Sequence, residues 1–397
     1  MNSSTRRPRP EFAPWPFYAE DEIDAVAKVL RSGKVNYWTG GIARQFEADY
    51  ANSLGRKRAI AVANGTVALE LALEAFGIGA GDEVVVPART YVASASCAVM
   101  RGAVPVIADI DRDSQVVTAE TIDAALTPRT RAIVVVHLAG WPCPMEEIMS
   151  LARARGIRVI EDCAQAHGAE VDGRPIGSFG DAAAFSFCQD KIITTGGEGG
   201  LLALDDEIAW RRAWAFKDIG RSYEAAYERE HPIGFRWLTE TFGTNWRMTE
   251  MQAIIGAIQL RKLPEWVARR RENALVMAGA LASAEGLRVP LPPPNVRHAY
   301  YRLYAFVEPA RLRGGWDRDR IVAETVAAGV PCSVGSCGEI YLEKAFRDRG
   351  WGPGRRLPVA AELADTSLAF LVHPTLAKET MVRAGELVRA VMKDACG

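Results

Sequence analysis

No stretch of this sequence approaches the roughly 20 consecutive apolar residues that a membrane-crossing helix needs. The longest apolar runs, such as AIVVV at 132–136, fall far short of it. The first ten residues, MNSSTRRPRP, are polar and basic and carry prolines, with no apolar region behind them. They read as a short mobile tail over residues 1–14 rather than a secretory signal, and a cytoplasmic protein without membrane attachment is expected. Charge of one sign is also missing. Lys plus Arg (48) balance Asp plus Glu (49), so neither a nucleic-acid partner nor an acidic disordered tail is indicated. The seven cysteines are odd in number, scattered, and form no CxxC pair, which argues against a disulfide framework and a structural zinc site. Cys332 and Cys337 lie close enough in sequence to touch or share a metal, but packed free thiols are the default reading. Histidine is scarce (5 residues), and no HxxxH or His/carboxylate spacing suggests a metal centre.

What is present is an ordinary globular composition, 49% hydrophobic and 24% charged, over 397 residues, a length that suits two domains. Between residues 58 and 204, short β-branched runs alternate with helical stretches. AIAV (59–62), EVVVP (83–87), VPVIA (104–108), RAIVVV (131–136) and IRVIE (157–161) read as strands. Their near-continuous apolar character suits a parallel sheet covered on both faces. TVALELALEAF (66–76), YVASASCAVMRG (91–102) and PMEEIMSLARARG (144–156) read as helices, the last ending at Gly156. The pattern predicts an α/β fold with ligand-binding loops at the carboxyl ends of the strands. After Gly200 come helices over 205–219 and 249–270, separated by an aromatic-rich, irregular stretch at 220–243. VPLPPPN (289–295) is the strongest break in the chain. Beyond it lie a strand-like segment at 298–307 and helices at 318–328 and 378–393. The expected division is a large domain over 15–270 and a smaller α+β domain over 271–397.

The chemistry concentrates at 160–200. A buried strand ends in Glu161-Asp162, where a carboxylate faces the ligand crevice of such sheets. A second strand, AAAFSF, leads to Lys191 in a loop rich in Thr and Gly. Taken with Asn64-Gly65-Thr66, Thr90-Tyr91-Val92-Ala93, Val136-His137-Leu138-Ala139-Gly140, Glu161-Asp162-Cys163-Ala164-Gln165-Ala166, Ser186-Phe187 with Lys191, Gly197-Glu198-Gly199-Gly200 and Asn245-Trp246-Arg247-Met248, the sequence resembles the DegT/DnrJ/EryC1/StrS family. That family comprises sugar aminotransferases of the pyridoxal 5'-phosphate (PLP) fold type I. Each piece alone is weak. Seven in register across residues 60–260 are specific.

The resemblance implies a fold type I large domain with a mostly parallel sheet covered by helices, PLP as cofactor, and Lys191 holding it as a Schiff base. The same lysine would act as general base and acid. Asp162 would favour protonation of the pyridine nitrogen. Gln165 would bond the ring's phenolic oxygen, with Ala164 against one ring face and Tyr91 on the other. Gly65, Thr66 and Ser186 would hold the phosphate at a helix N-terminus, joined by Asn245 from the partner of a homodimer with shared sites. A lone surface lysine, a strand-end Asp capping a helix, or a Thr66 that merely caps are the plain readings of the same residues. His137, which ends a strand at the same face, could contact cofactor or sugar; His167 follows the Asp162 motif and invites a catalytic assignment; packing is the alternative for both. Glutamate or glutamine is the expected donor. The expected acceptor is a keto sugar, a nucleotide-linked 4-keto-6-deoxyhexose before a 3-keto sugar or a keto-cyclitol. The family also holds sugar dehydratases that replace the lysine with histidine; the retained Lys191 favours amino transfer. Residues 220–243 and CSVGSCGE (332–339) match no family motif and are candidates for shaping the acceptor pocket.

Overall fold

The computed structural model describes residues 10–397. Its centre is a seven-stranded sheet. In chain order the strands are β1 (Arg58–Val62), β2 (Glu83–Pro87), β3 (Val104–Ala108), β4 (Thr130–Val136), β5 (Arg158–Asp162), β6 (Ala182–Ser186) and β7 (Gly200–Leu204). They lie side by side as β1-β7-β6-β5-β4-β2-β3. All neighbouring pairs from β6 to β3 are parallel, while β7 runs antiparallel to both β1 and β6. The sheet is therefore α/β and mostly parallel, as expected. Strand β7 was not anticipated, because its GLLAL run follows a glycine-rich loop and reads as its continuation. β2, β6 and β7 are buried at every position, the consequence of helices on both faces.

Local chemistry fixes the helix ends near the site. The Gly65–Ala75 helix begins where the Asn64 side chain accepts from the Val67 amide (3.0 Å). The Met145–Arg155 helix stops at Gly156 in the left-handed region (φ 65°). The helix expected over 249–270 is a 32-residue element, Glu250–Leu281, opened by a Thr249/Gln252 capping box. It carries the chain past residue 270 without a break. Its last turns (Ala274, Met277, Ala278, Leu281) pack in a second core with Leu303, Leu368, Phe370 and Met381. That core lies against a four-stranded antiparallel sheet formed by Leu287–Arg288, Leu303–Val307, Ser367–Phe370 and Cys332–Ser333.

Three sequence expectations shift. The strand expected over 298–307 begins only at Leu303. Residues before it wrap the large sheet instead, with the Ala299 amide on Gly140 O, the Tyr301 amide on Ala139 O, and Tyr300 at φ 50°. Helices at Glu20–Ser32 and Ile42–Leu54 were not expected at all. Of the tail expected over 1–14, residues 1–9 lie outside the described residues. Glu11 and Pro14 are held through their carbonyls by the Thr380 and Thr375 hydroxyls (3.2 and 3.1 Å). Among the described residues no helix is long and apolar enough to cross a membrane.

Candidate active site

A cavity of about 730 Å³ opens beyond the carboxyl ends of β1, β2, β5 and β6, where loops of an open α/β sheet gather. It is lined by Gly65, Thr66, Tyr91, Asp162, Ala164, Gln165, Ser186 and Lys191, eight of the nine residues singled out in sequence. The ninth, Asn245, is exposed and does not line the cavity of its own chain. It pairs in the backbone with Asp218, on a loop pinned by the Arg247–Asp218 ion pair (2.6 Å).

Asp162 and Glu161 end β5 on opposite faces, as consecutive strand residues must. Asp162 turns to the cavity. Its carboxylate accepts from Ser94 Oγ (2.7 Å) and the Ala164 amide (3.1 Å). Burial pushes its pKa up, against the pull of those hydrogen bonds and of Lys191. Glu161 turns away. It accepts from the amides of Gly177, Phe179 and Gly180 (2.9, 2.8 and 2.7 Å), and Arg56 stands 3.6 Å off. Burial would raise its pKa, but His137, Gly180 and Arg56 hold it low, and it anchors a loop.

Both histidines prove to be framework. His137 Nδ1 accepts from the Cys143 amide (3.0 Å), leaving Nε2–H for Glu161 (3.2 Å). It does not line the cavity, so the expected contact with cofactor or sugar is corrected. His137, Glu161 and Cys163 bring ligand-type atoms within 4.8 Å, yet the carboxylate and imidazole are already satisfied by protein donors and acceptors. His167 donates from Nε2 to Ser186 O (2.9 Å) and accepts at Nδ1 from the Tyr50 hydroxyl (2.7 Å). Burial lowers its pKa to about 4, so it stays neutral and steadies the strand end that carries Ser186.

Lys191 sits in the loop joining β6 to β7. That loop closes through the Phe187 amide on Gly199 O and the Gln189 amide on Gly197 O (2.8 and 2.9 Å). Gly197 has φ 124°, a conformation other residues rarely adopt. Trp15 Nε1 donates to Lys191 O (2.9 Å), an anchor that sequence reasoning missed. Lys191 Nζ lies 3.4 Å from Asp190 Oδ1 and 5.0 Å from the centre of the Tyr301 ring. Gln165 is oriented by the Ala139 amide, which donates to its Oε1 (2.7 Å) and leaves its NH2 as the available donor. Tyr91 borders the cavity and is 67% exposed.

The phosphate end shows why glycine is required. A methyl group on Gly65 would stand 2.6 Å from Ser186 Cβ, and one on Gly200 would stand 2.2 Å from Asn64 O. The β1–helix turn thus presses directly onto β6. The first-turn amides of Gly65 and Thr66, which have no intrahelical acceptor, come beside the Ser186 hydroxyl. An anion-binding helix end, a primary amine, a buried carboxylate and an aimed amide on one cavity match the polar groups of a pyridine aldehyde phosphate.

A model of the DegT/DnrJ/EryC1/StrS aminotransferase family matches residues 16–389. The chain belongs to that family. It is 37% identical over 325 residues to an L-glutamine:2-deoxy-scyllo-inosose aminotransferase of Streptomyces kanamyceticus, covering 80% of this chain and 75% of that one. A UDP-N-acetyl-3-dehydro-α-D-glucosamine 3-aminotransferase of Acidithiobacillus ferrooxidans is 32% identical over 97% of this chain and 96% of its own. The X-ray structure of an aminotransferase from Psychrobacter cryohalolentis superposes with a TM-score of 0.95 at 51% identity, over 98% of this chain and 100% of that one. As a DegT/DnrJ/EryC1/StrS protein it is a PLP-dependent sugar aminotransferase of fold type I.

The cavity is also lined by Glu198, from the Gly197–Gly200 motif, and by residues that no motif flagged: Asp190, Tyr301, Arg302, Tyr304, Ser333, Ser336 and Cys337. Part of the CSVGSCGE segment thus faces the site, though Cys332 does not line it. All seven cysteines are free.

Proposed function

We propose that Lys191 is the residue to which PLP is joined, and that the chain moves an amino group from glutamate or glutamine to a keto sugar carried on a nucleotide. The observation that carries this reading is the placing of Lys191 Nζ on the same cavity as the Asp162 carboxylate and the Gly65–Thr66 helix end. PLP, when bound, withdraws electrons from the substrate carbon that bears the nitrogen. The protein's own residues do the rest. Asp162 holds positive charge at the ring nitrogen, and the NH2 of Gln165 donates to the phenolic oxygen. Gly65, Thr66 and Ser186 bind the phosphate. Ala164 and Tyr91 bound the ring faces. Lys191 Nζ takes the proton from the substrate carbon once released. Reduction of the yellow holoenzyme with borohydride should fix the cofactor to a peptide containing Lys191; the label on any other lysine overturns the assignment.

For the acceptor, a nucleotide-linked 4-keto-6-deoxyhexose is the first expectation. A 3-keto sugar has its own support in the relative matched over 97% of the chain, whose printed substrate is a 3-dehydro UDP-sugar. A keto-cyclitol is supported by the inosose aminotransferase. Transfer of nitrogen-15 from labelled glutamine to each acceptor decides among them.

The working unit in this reading is a homodimer in which Asn245 of one protomer reaches the phosphate held by the other. Its support is the exposure of Asn245 outside its own cavity, shortly after exposed Phe235, Trp237 and Phe242 in the chain (79, 81 and 99%). Mixing Lys191→Ala with Asn245→Asp, each inactive alone, should restore at most about a quarter of wild-type activity after subunit exchange. Half the dimers are then mixed, and each has one intact site. No recovery with exchange confirmed rules the shared site out.

A further inference from the structure

Lys191 must leave and rejoin the cofactor in every turnover, so its amine needs somewhere to be while it is free. We infer that Asp190 and Tyr301 form a docking station for the free Lys191 ammonium, an inference that rests on Lys191 being the PLP lysine. The geometry is specific. Lys191 Nζ lies 3.4 Å from Asp190 Oδ1 and over the Tyr301 ring at 5.0 Å. The Tyr301 hydroxyl donates to the other oxygen, Asp190 Oδ2, so the carboxylate is held on both sides. Tyr301 is itself fixed, 8% exposed, its amide bonded to Ala139 O (2.8 Å) and its ring under the Arg302 guanidinium at 4.5 Å. Burial alone would raise the Asp190 pKa. Lys191, the Tyr301 hydroxyl and Arg302 together bring it below the usual carboxylate range, so the station stays charged.

The station acts only on states in which the amine is free: the cofactor-free enzyme and the enzyme carrying the aminated cofactor. It contributes nothing when Lys191 is joined to PLP. Asp190 is therefore a positioning residue that biases the balance between the two halves of the reaction. Asp190→Asn keeps the shape and removes the charge. At a fixed ratio of amino donor to keto acid, the proportion of aminated to lysine-joined cofactor, read by absorbance at equilibrium, should fall about threefold to fivefold. That is the effect of a partly exposed ion pair worth ~0.6–1 kcal/mol. The cofactor-free Asp190→Asn protein should capture added PLP faster, because its Lys191 is no longer held by the Asp190 carboxylate. Asp190→Glu, which restores the charge, should recover most of the wild-type ratio. Asp190 is partly exposed, so the amide should fold; Asp190→Ser replaces it if it does not. An unchanged ratio in the neutral variant, or an equal fall in Asp190→Glu, overturns the inference. Borohydride reduction of the wild-type enzyme that fixes the cofactor to a lysine other than Lys191 would instead overturn the reading it rests on.

Discussion

Gly65→Ala tests the cofactor cradle more directly than any change of a charged residue. The added methyl would stand 2.6 Å from Ser186 Cβ and 3.1 Å from its Cα and Oγ. Carbon atoms in contact prefer about 3.5–4.0 Å, so the gap must open by roughly 1 Å. Ser186 cannot give way as a flexible tip would. It ends a strand hydrogen-bonded on both sides, opposite Gly200 on β7 and with β5 on its other edge. Overpacking of this kind costs about 1–3 kcal/mol of stability. The same opening parts the Gly65–Thr66 amides from the Ser186 hydroxyl. A hydrogen bond to a charged group is worth about 1.5–3 kcal/mol, so losing one weakens PLP binding by roughly 10- to 100-fold. Titrating cofactor-free protein with PLP by absorbance, beside a thermal melt, reads both effects. Gly279→Ala is the control: it lies inside the Glu250–Leu281 helix with nothing within 4 Å of the new methyl. It should raise stability by up to about 1 kcal/mol and leave PLP affinity alone. Wild-type PLP affinity in Gly65→Ala would refute the cradle.

Asp162→Asn can keep the Ser94 and Ala164 hydrogen bonds but not the charge, so the amino-transfer half-reaction should slow by orders of magnitude, each tenfold step being about 1.4 kcal/mol; wild-type rates would show that another group serves the ring nitrogen. Burial lowers the pKa of His298 to about 3, so the folded chain excludes a proton that the unfolded chain binds near pH 6.5. Its contribution to stability is full above pH 6.5 and is lost progressively as pH falls from there toward 3. His298→Gln should therefore unfold at pH 5 with about one proton less uptake, a stability-versus-pH slope shallower by about 1.4 kcal/mol per unit. An identical slope in denaturant titrations at pH 5 and 6 would contradict the burial argument.

How much of this was legible in the sequence depends on the range of the force that places each residue. β2 and β3 were read with their observed bounds, and β1, β4 and β5 to within a residue, because burial on both faces leaves an uninterrupted apolar run. The motif residues from Gly65 to Lys191 were picked out by the resemblance to the family, and what the structure adds is that eight of them line one cavity, Asp162 and Ser186 from strand ends and the rest from the segments that follow strands. β7 was missed because its direction depends on pairing with β1 and β6, which no local pattern encodes. The first two helices escaped for a related reason: Glu20–Ser32 has only two buried residues, and Ile42–Leu54 was overlooked despite its buried face. For His137 both contact and packing stayed open in the sequence, because proximity to a strand end does not say which face a side chain takes; the structure gives packing. The period-2 rule, applied to Glu161 and Asp162, would have sent only one of that adjacent pair into the crevice.

The division of labour within the cavity explains why the reaction was readable and the acceptor was not. Gly65 to Lys191 all belong to the large sheet and its loops, and in the proposed reading each would answer to a fixed feature of PLP: its phosphate, its ring nitrogen, its phenolic oxygen, its aldehyde. One cofactor imposes one set of demands, so these positions carry recognisable residue types. Tyr301, Arg302, Tyr304, Ser333, Ser336 and Cys337 reach the same cavity from the chain beyond the 289–295 break. Apart from Tyr301, they are the lining residues left to answer to the acceptor in the proposed reading, and the named acceptors of the relatives differ. Serines and a cysteine on a short segment have no chemistry that singles out a sugar until their placement is known. The cavity makes Arg302 the cationic side chain besides Lys191 among its lining residues, against the acids Asp162, Asp190 and Glu198. With Lys191 engaged by the cofactor, a substrate carrying a carboxylate or a diphosphate finds Arg302 as the cation this chain supplies there. In that reading, discrimination between such substrates would rest on the lining residues that follow the 289–295 break, and changes of acceptor are expected to map there.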